Sequence, residues 1–318
     1  MSGKPSNQDF DVVVGYRVGR LPKILGPFSG GGLHSKKRNK LIFDIISFAL
    51  IVSIAAIVLL PIWWIFRSSV MGSLDIFLWP PTFFPMGTLD AREWLWSSYI
   101  INPASFDFWK YLGNSLTITV PCVIFGTSTA ISCGYAFARL QFRGKKFLFS
   151  LCVGSMLMPA AVTLIPLYMA WSTLGFVDSF YPLILPYLCG GGAFNIFLLR
   201  QFIRTVPREL DEAAKIDGAG YLRTLVSIIV PSIKSAIIVV ALLIFITTWN
   251  DLLQQMIYIH SRDKYTMVLG LTSFFGTFRA DYAGMFAATV MTILPPLVIY
   301  IIGQKYFVEG IVMTGMKN

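Results

Sequence analysis

The sequence predicts an all-α, polytopic membrane protein with six transmembrane helices, on three observations. Of 318 residues, 55% are hydrophobic and only 13% are charged, whereas a soluble domain carries charge on about a quarter of its residues. Mean hydropathy is +0.68. Apolar runs at about 42–66, 115–138, 147–170, 181–199, 235–259 and 283–303 approach the roughly 20 residues that cross a 30 Å hydrocarbon core at 1.5 Å rise each.

The first run is too long, and too far from the N-terminus, for the core of a cleavable leader, so it reads as a retained helix. In the third, Pro159 and Pro166 each remove an intrahelical hydrogen bond, and a kink or break is expected. In the fourth, Gly190-Gly191-Gly192 lacks the Lys-Ser/Thr of a phosphate-cradling loop and reads as close helix packing. Cys122, Cys133, Cys152 and Cys189 all lie in apolar runs, without metal-ligand spacing or an oxidising loop, so neither disulfides nor metal are expected.

Between the runs, Lys and Arg set the orientation. With both termini on one side, that side holds 20 of the 26 basic residues, and the other holds Arg67, Arg92, Lys110, Arg262, Lys264 and Arg279. The basic side stays cytoplasmic, so both termini are placed inside the cell. The net charge of +10 is therefore read as a topology signal, and nucleic acid is not expected. Residues 1–40, with charge and an "SGGG" stretch, read as a flexible tail, and residues 41–318 as the membrane domain. The outer segment 67–114, with "WPPTFFP", reads as a proline-stiffened interfacial loop.

The stretch "RELDEAAKIDGAGYLRTLVSIIVPS" stands apart. It carries Glu209, Asp211, Glu212 and Asp217 between two apolar runs, on the cytoplasmic side. Pro207 suits a helix's first turn, and the carboxylates that follow sit near the positive end of its dipole. A helix of about ten residues starting near Thr205 or Val206 is expected, ended by Asp217-Gly218 and Gly220. That is too short to persist alone in water, so it needs a docking surface. Ala213 and Ala214 let another surface approach closely. Leu222, Leu225 and Ile229 then recur as one face of a second short amphipathic helix before Pro231. On these grounds alone the stretch is either a docking element or a solvated helical loop.

The stretch resembles the cytoplasmic EAA loop of ATP-binding-cassette importer permeases. That pattern runs Glu-Ala-Ala, three residues, Gly, then an apolar stretch ending near Leu-Pro; here it is Glu212-Ala213-Ala214, Gly218 and Val230-Pro231, with Val in place of Leu. "NSL" at 114–116, "YAFARLQFRGKK" at 135–146, "PAAVTLIPLYM" at 159–169, "FLLRQFI" at 197–203, "WND" at 249–251 and "QKYFVEGIVMTGMK" at 304–317 look like successive blocks of carbohydrate-importer permeases, the shorter, maltose-permease-like subunit. The resemblance implies the binding-protein-dependent importer permease fold, with an ATPase-coupling loop at about 205–231 formed by Glu209, Asp211, Glu212, Ala213, Ala214, Asp217 and Gly218. It implies a second homologous permease, two copies of a cytoplasmic ATP-binding subunit and an extracytoplasmic solute-binding protein as partners. ATP and Mg²⁺ belong to the ATPase subunits, no cofactor belongs to this chain, and no Gly-Lys-Ser/Thr loop occurs in it. The solute is expected to be an oligosaccharide or monosaccharide, with glycerol phosphate as the non-sugar alternative.

Trp249, Asn250 and Asp251 are the polar set inside a span, where an ionisable group is costly. They either line the translocation path or pin this helix to its neighbours. Asp44, His34 and His260 have no partner spacing and are assigned no role. An ion-coupled secondary transporter is the rival class, but it would carry several ionisable groups deep in its spans, where Asp251 stands nearly alone. A membrane enzyme would need a nucleophile–base set, and no such set is legible.

Overall fold

The computed structural model describes residues 33–84, 96–100, 106–274 and 281–315, so residues 1–32 of the tail expected at 1–40 and part of the outer segment lie outside the described residues, while residues 33–40, expected to be flexible, are the first turns of a helix that runs on into the first span. The α-helices in chain order are α1 (Leu33–Ser69), α2 (Phe108–Arg139), α3 (Lys145–Ser155), α4 (Ala160–Thr173), α5 (Tyr181–Ile184), α6 (Ala193–Thr205), α7 (Glu209–Ile216), α8 (Tyr221–Thr224), α9 (Val230–Ser232), α10 (Lys234–Trp249), α11 (Leu252–Tyr258), α12 (Met267–Gly270) and α13 (Tyr282–Gly315). Short 3₁₀ turns and one π-helical turn complete the set, and every element among the described residues is helical.

Four stretches are long and apolar enough to cross a bilayer: Lys40–Ser69, Phe108–Arg139, Tyr181–Thr205 and Tyr282–Tyr306. The third and fifth expected spans differ from straight helices. Between α3 and α4 the chain bends by 100°, and between Tyr221–Ser232 and α10 it bends by 85°. Counting each bent pair as one span gives six. The first bend falls at Pro159, which caps α4 in an extended conformation; the residue before a proline is pushed out of the α region, so the helix stops before it. Pro166 stays inside α4. The fifth span, expected to run to residue 259, ends as a helix at Trp249 and resumes as α11.

The fourth span is also interrupted. Gly190, Gly191 and Gly192 have φ of 102°, 61° and 101°, a left-handed run that only glycine adopts cheaply. The triplet does allow close packing: a Cβ on Gly191 would come within 3.2 Å of the Gly126 Cα on α2. Its first cause, however, is backbone handedness, which helix periodicity does not reveal.

By contacts the chain divides into two units, Met1–Leu59 and Leu60–Asn318. In the first span the most apolar window is wholly unburied within the chain, as a helix facing lipid or another subunit would be. In the second unit α2 packs against both α6 and α10, and α10 packs against α13. Ile118, Cys122, Ala130, Leu199, Ile203, Ile229, Val240 and Ile244 form the buried centre.

One end of this unit is stapled by Asp178, whose φ of +57° is the one positive value outside glycine among the described residues. Its Oδ1 accepts the backbone N–H groups of His260 and Ser261, each at 2.9 Å, and its Oδ2 accepts Lys264 Nζ at 2.9 Å and the Ser261 hydroxyl. Burial pushes this carboxyl up, but the four donors outweigh it and hold the group well below the usual carboxylate range. At the same end Asn114 Nδ2 donates to the carbonyls of Asp263 and Tyr265, and Ser115 Oγ accepts Met267 N–H.

Asp178→Ala leaves these donors without an acceptor, at a cost on the order of 1–3 kcal/mol. We expect thermal unfolding of the purified protein to show a lower Tm than wild type, with Asp178→Asn in between because Asn keeps one acceptor and tolerates the left-handed backbone. The folded value being depressed, the contribution is complete above the unfolded value of about 3.9 and disappears only as pH falls through the folded one, so the Tm difference stays flat from about pH 5 to 8.

Candidate functional site

The opposite end of the unit is built around α7. α6 ends at Thr205, and Val206 turns extended, with ψ 130°, because Pro207 follows it. The helix therefore starts at Glu209, not at Thr205 or Val206, and has eight residues. Glu209, Asp211 and Glu212 fall in its first turn and Lys215 in its last, so every charge favours the dipole.

Its C-terminus closes as the glycine predicts. Gly218 has φ +78°, Gly218 N–H donates to Lys215 O and Ala219 N–H donates to Ala214 O, the paired bonds of a Schellman stop. Ala214 is buried and Asp211 half-buried, while Glu209, Leu210, Glu212, Ala213, Lys215, Ile216 and Asp217 are exposed. The helix thus rests on the protein along a narrow strip and presents the rest outward.

Beyond the glycines, α8, a π-helical turn at Leu225–Ile229 and α9 form one short helix. Leu225 and Ile229 are buried as expected, joined by Thr224, but Leu222 is exposed. The wider π turn rotates the buried face relative to a 3.6-residue periodicity. Leu210, Ile216, Tyr221, Leu222 and Val226 together leave apolar side chains exposed on both sides of the glycines, Ile216 at 86%.

Two arginines attach this end to the core. Arg139, the last residue of α2, places Nε 2.8 Å from Asp211 Oδ2 and donates from Nη2 to Val206 O at 2.5 Å. Burial pushes the Asp211 carboxyl up, and Arg139 draws it back only in part. Arg200 of α6 donates from Nε to Phe137 O of α2 at 3.2 Å, and its guanidinium lies 3.9 Å above the Phe149 ring of α3.

The polar set at 249–251 separates into different jobs. Trp249 is buried between α10 and α13, stacked on Phe245, with Nε1 donating to Thr292 O. Asn250 caps α10 by donating to Ile246 O. Asp251 caps α11 through Gln254 N–H and faces a cavity of about 220 Å³ that Ile118, Tyr187, Gly191, Thr248 and Gln254 also line. Gln255 closes its wall, donating to Thr248 O and accepting the Thr266 hydroxyl. The residues that sequence reasoning did not single out are Arg139, Arg200, Tyr187, Gln254 and Gln255; Arg139 and Arg200 lay in quoted blocks, but nothing local marks the partner of Arg139, 72 positions away.

Residues 126–312 match the family described as the binding-protein-dependent transport system inner membrane component. The chain is 29% identical over 220 residues to the arabinooligosaccharides transport system permease protein AraQ of Halalkalibacterium halodurans, covering 69% of this chain and 78% of that one. It is 33% identical over 219 residues to the maltodextrin transport system permease protein MdxG of Bacillus subtilis, covering 67% and 78%. Among solved structures, a chain of a bacterial ABC transporter involved in the import of the acidic polysaccharide alginate shares its fold with a TM-score of 0.73 at 24% identity, covering 89% of this chain and all of that one.

A Cβ at Gly218 would meet no neighbour within 4 Å, so Gly218→Ala costs only the left-handed strain, roughly 1–2 kcal/mol. We expect faster amide exchange at Gly218 and Ala219 in this variant, and a smaller effect in Gly218→Asn. Unchanged exchange in Gly218→Ala would contradict the stop described here.

Proposed function

Since the chain belongs to the family of binding-protein-dependent transport system inner membrane components, and is a transmembrane permease subunit of an ATP-driven importer, we propose that its solute is a carbohydrate and that α7 is the element on which a partner ATPase acts. The observation that carries the coupling role is the hinge: an eight-residue acidic helix with a glycine stop, flanked by exposed apolar side chains. Such a helix is too short to be stable free in water, and an exposed apolar group beside it marks a protein-binding surface. The docking surface is then a cleft on a cytoplasmic ATP-binding subunit, present in two copies. Glu209, Asp211, Glu212, Ala213, Ala214, Asp217 and Gly218 form the coupling element.

ATP and Mg²⁺ belong to those subunits, and this chain takes no part in the hydrolysis. Both termini and the hinge lie in the cytoplasm, on the side that holds most of the basic residues. A second, homologous permease completes the pore, and an extracytoplasmic binding protein delivers the solute. The carbohydrate assignment is supported by relatives named for arabinooligosaccharides and maltodextrin. Within the pore Asp251, with Gln254 and Tyr187, supplies hydrogen-bonding groups to a cavity large enough for one sugar ring, while Trp249 and Asn250 hold the helices that frame it.

Exchanging Glu212 for Lys reverses a charge on the exposed face of α7, and Gly218→Pro removes its stop. Both variants are expected to insert normally yet to lose oligosaccharide uptake by about tenfold or more, through charge mismatch in one and helix geometry in the other. Co-purification of the ATPase and uptake of a labelled oligosaccharide are the measurements. Full uptake with normal co-purification in both variants would contradict the coupling role.

A further inference from the structure

The hinge is attached unequally on its two sides. Toward α8 the chain leaves α7 through Gly218 and Gly220, where a Cβ would meet nothing within 4 Å, so this side is held by the backbone bonds of the stop, with no side chain packed on the two glycines. Toward α6 it is braced. Arg139 grips the carbonyl of Val206, where α6 ends, and the carboxylate of Asp211 in the first turn of α7, with its side chain 7% exposed. Behind that grip α2 and α6 are closely set: a Cβ on Gly134 would come within 3.1 Å of Arg200 N. The Arg200 bond to Phe137 O adds a second tie.

The other end of α2 carries Ile118, which lines the cavity at Asp251. Residues 118 and 139 of one helix are about 30 Å apart at 1.5 Å rise per residue, close to a full bilayer core. A displacement of α7 therefore has a side-chain route into the membrane, through Arg139 into α2.

We propose that Arg139 is the positioning residue that transmits movement of α7 to α2, and through α2 to the wall of the Asp251 cavity. The inference rests on the coupling role proposed above for α7 and assigns its route. The pair is not there chiefly for stability: desolvating two charges cancels much of their attraction, and an apolar pair of similar size is commonly as stable. What an apolar pair lacks is direction. The Nη2 hydrogen bond to Val206 O orients the guanidinium plane, which sets its charge 2.8 Å from Asp211 Oδ2, and a lysine ammonium, a point charge, is oriented less well.

The test uses the importer assembled on this chain, with its partner permease, ATPase and binding protein, in proteoliposomes. A panel of labelled maltodextrins and arabino-oligosaccharides supplies the imported probe, and ATP hydrolysis is followed in parallel. In Arg139→Gln the ATPase still co-purifies and hydrolyses ATP, while solute imported per ATP falls about tenfold, the scale of a coupling free energy. Arg139→Lys falls between Gln and wild type. The apolar pair Arg139→Met with Asp211→Leu guards against simple misfolding: it is expected to match wild type in Tm and to remain as poorly coupled as Arg139→Gln. An unchanged ratio in Arg139→Gln overturns the proposal, as does a restored ratio in the apolar pair, or a fall in uptake that only tracks the amount of folded protein. If the wild-type chain itself retains no ATPase, the coupling role of α7 fails first, and the route falls with it.

Discussion

An eight-residue helix has too few internal hydrogen bonds to hold itself in water, and the hinge end of this protein is organised around keeping one in place. α7 has one buried side chain, Ala214, and one half-buried anchor, Asp211. Its ends are fixed by local chemistry: Pro207 sets where it starts and Gly218 where it stops. Beside the buried Ala214, an ion pair of Asp211 with Arg139 of α2 ties it to the body of the protein. The remaining surface, acidic on the helix and apolar on both flanks, faces outward.

The membrane part shows the complementary constraint. Backbone breaks at membrane depth are tolerated only where the freed groups find protein partners or line a cavity, and the breaks at 190–192 and 250–251 fall in such places. The Gly190–Gly192 turn packs against α2 at Gly126, and with the α10–α11 junction it frames the cavity at Asp251. Both Asp251 and Asn250 serve the helix ends at that junction. The cavity is thus a consequence of two interrupted helices meeting one long one, α2.

Much of this was legible in the sequence because it depends on near neighbours. The Schellman stop follows from Asp217-Gly218, the break before α4 from Pro159, and the charge order of α7 from its own residues. The "NSL" block is also local in sequence, and its Asn114 and Ser115 tie α2 to residues 263–267. What escaped was non-local or depended on handedness. Nothing beside Asp178 in the sequence marks it, because its partners lie some 80 residues on. Arg139 was indistinguishable from the other bases that set topology. The glycine triplet read as packing because hydropathy carries no information about φ, and the exposure of Leu222 reflects a π turn that a 3.6-residue period does not anticipate.

The central claim is that this permease does no work of its own and is driven through α7 by a separate ATPase. The direct measurement is solute accumulation in proteoliposomes that hold this chain with its partner permease and binding protein, with and without the ATPase subunits and ATP. The account predicts accumulation against a gradient only when ATPase and ATP are both present. Concentrative uptake without them, sustained by an ion gradient or by nothing added, would contradict it.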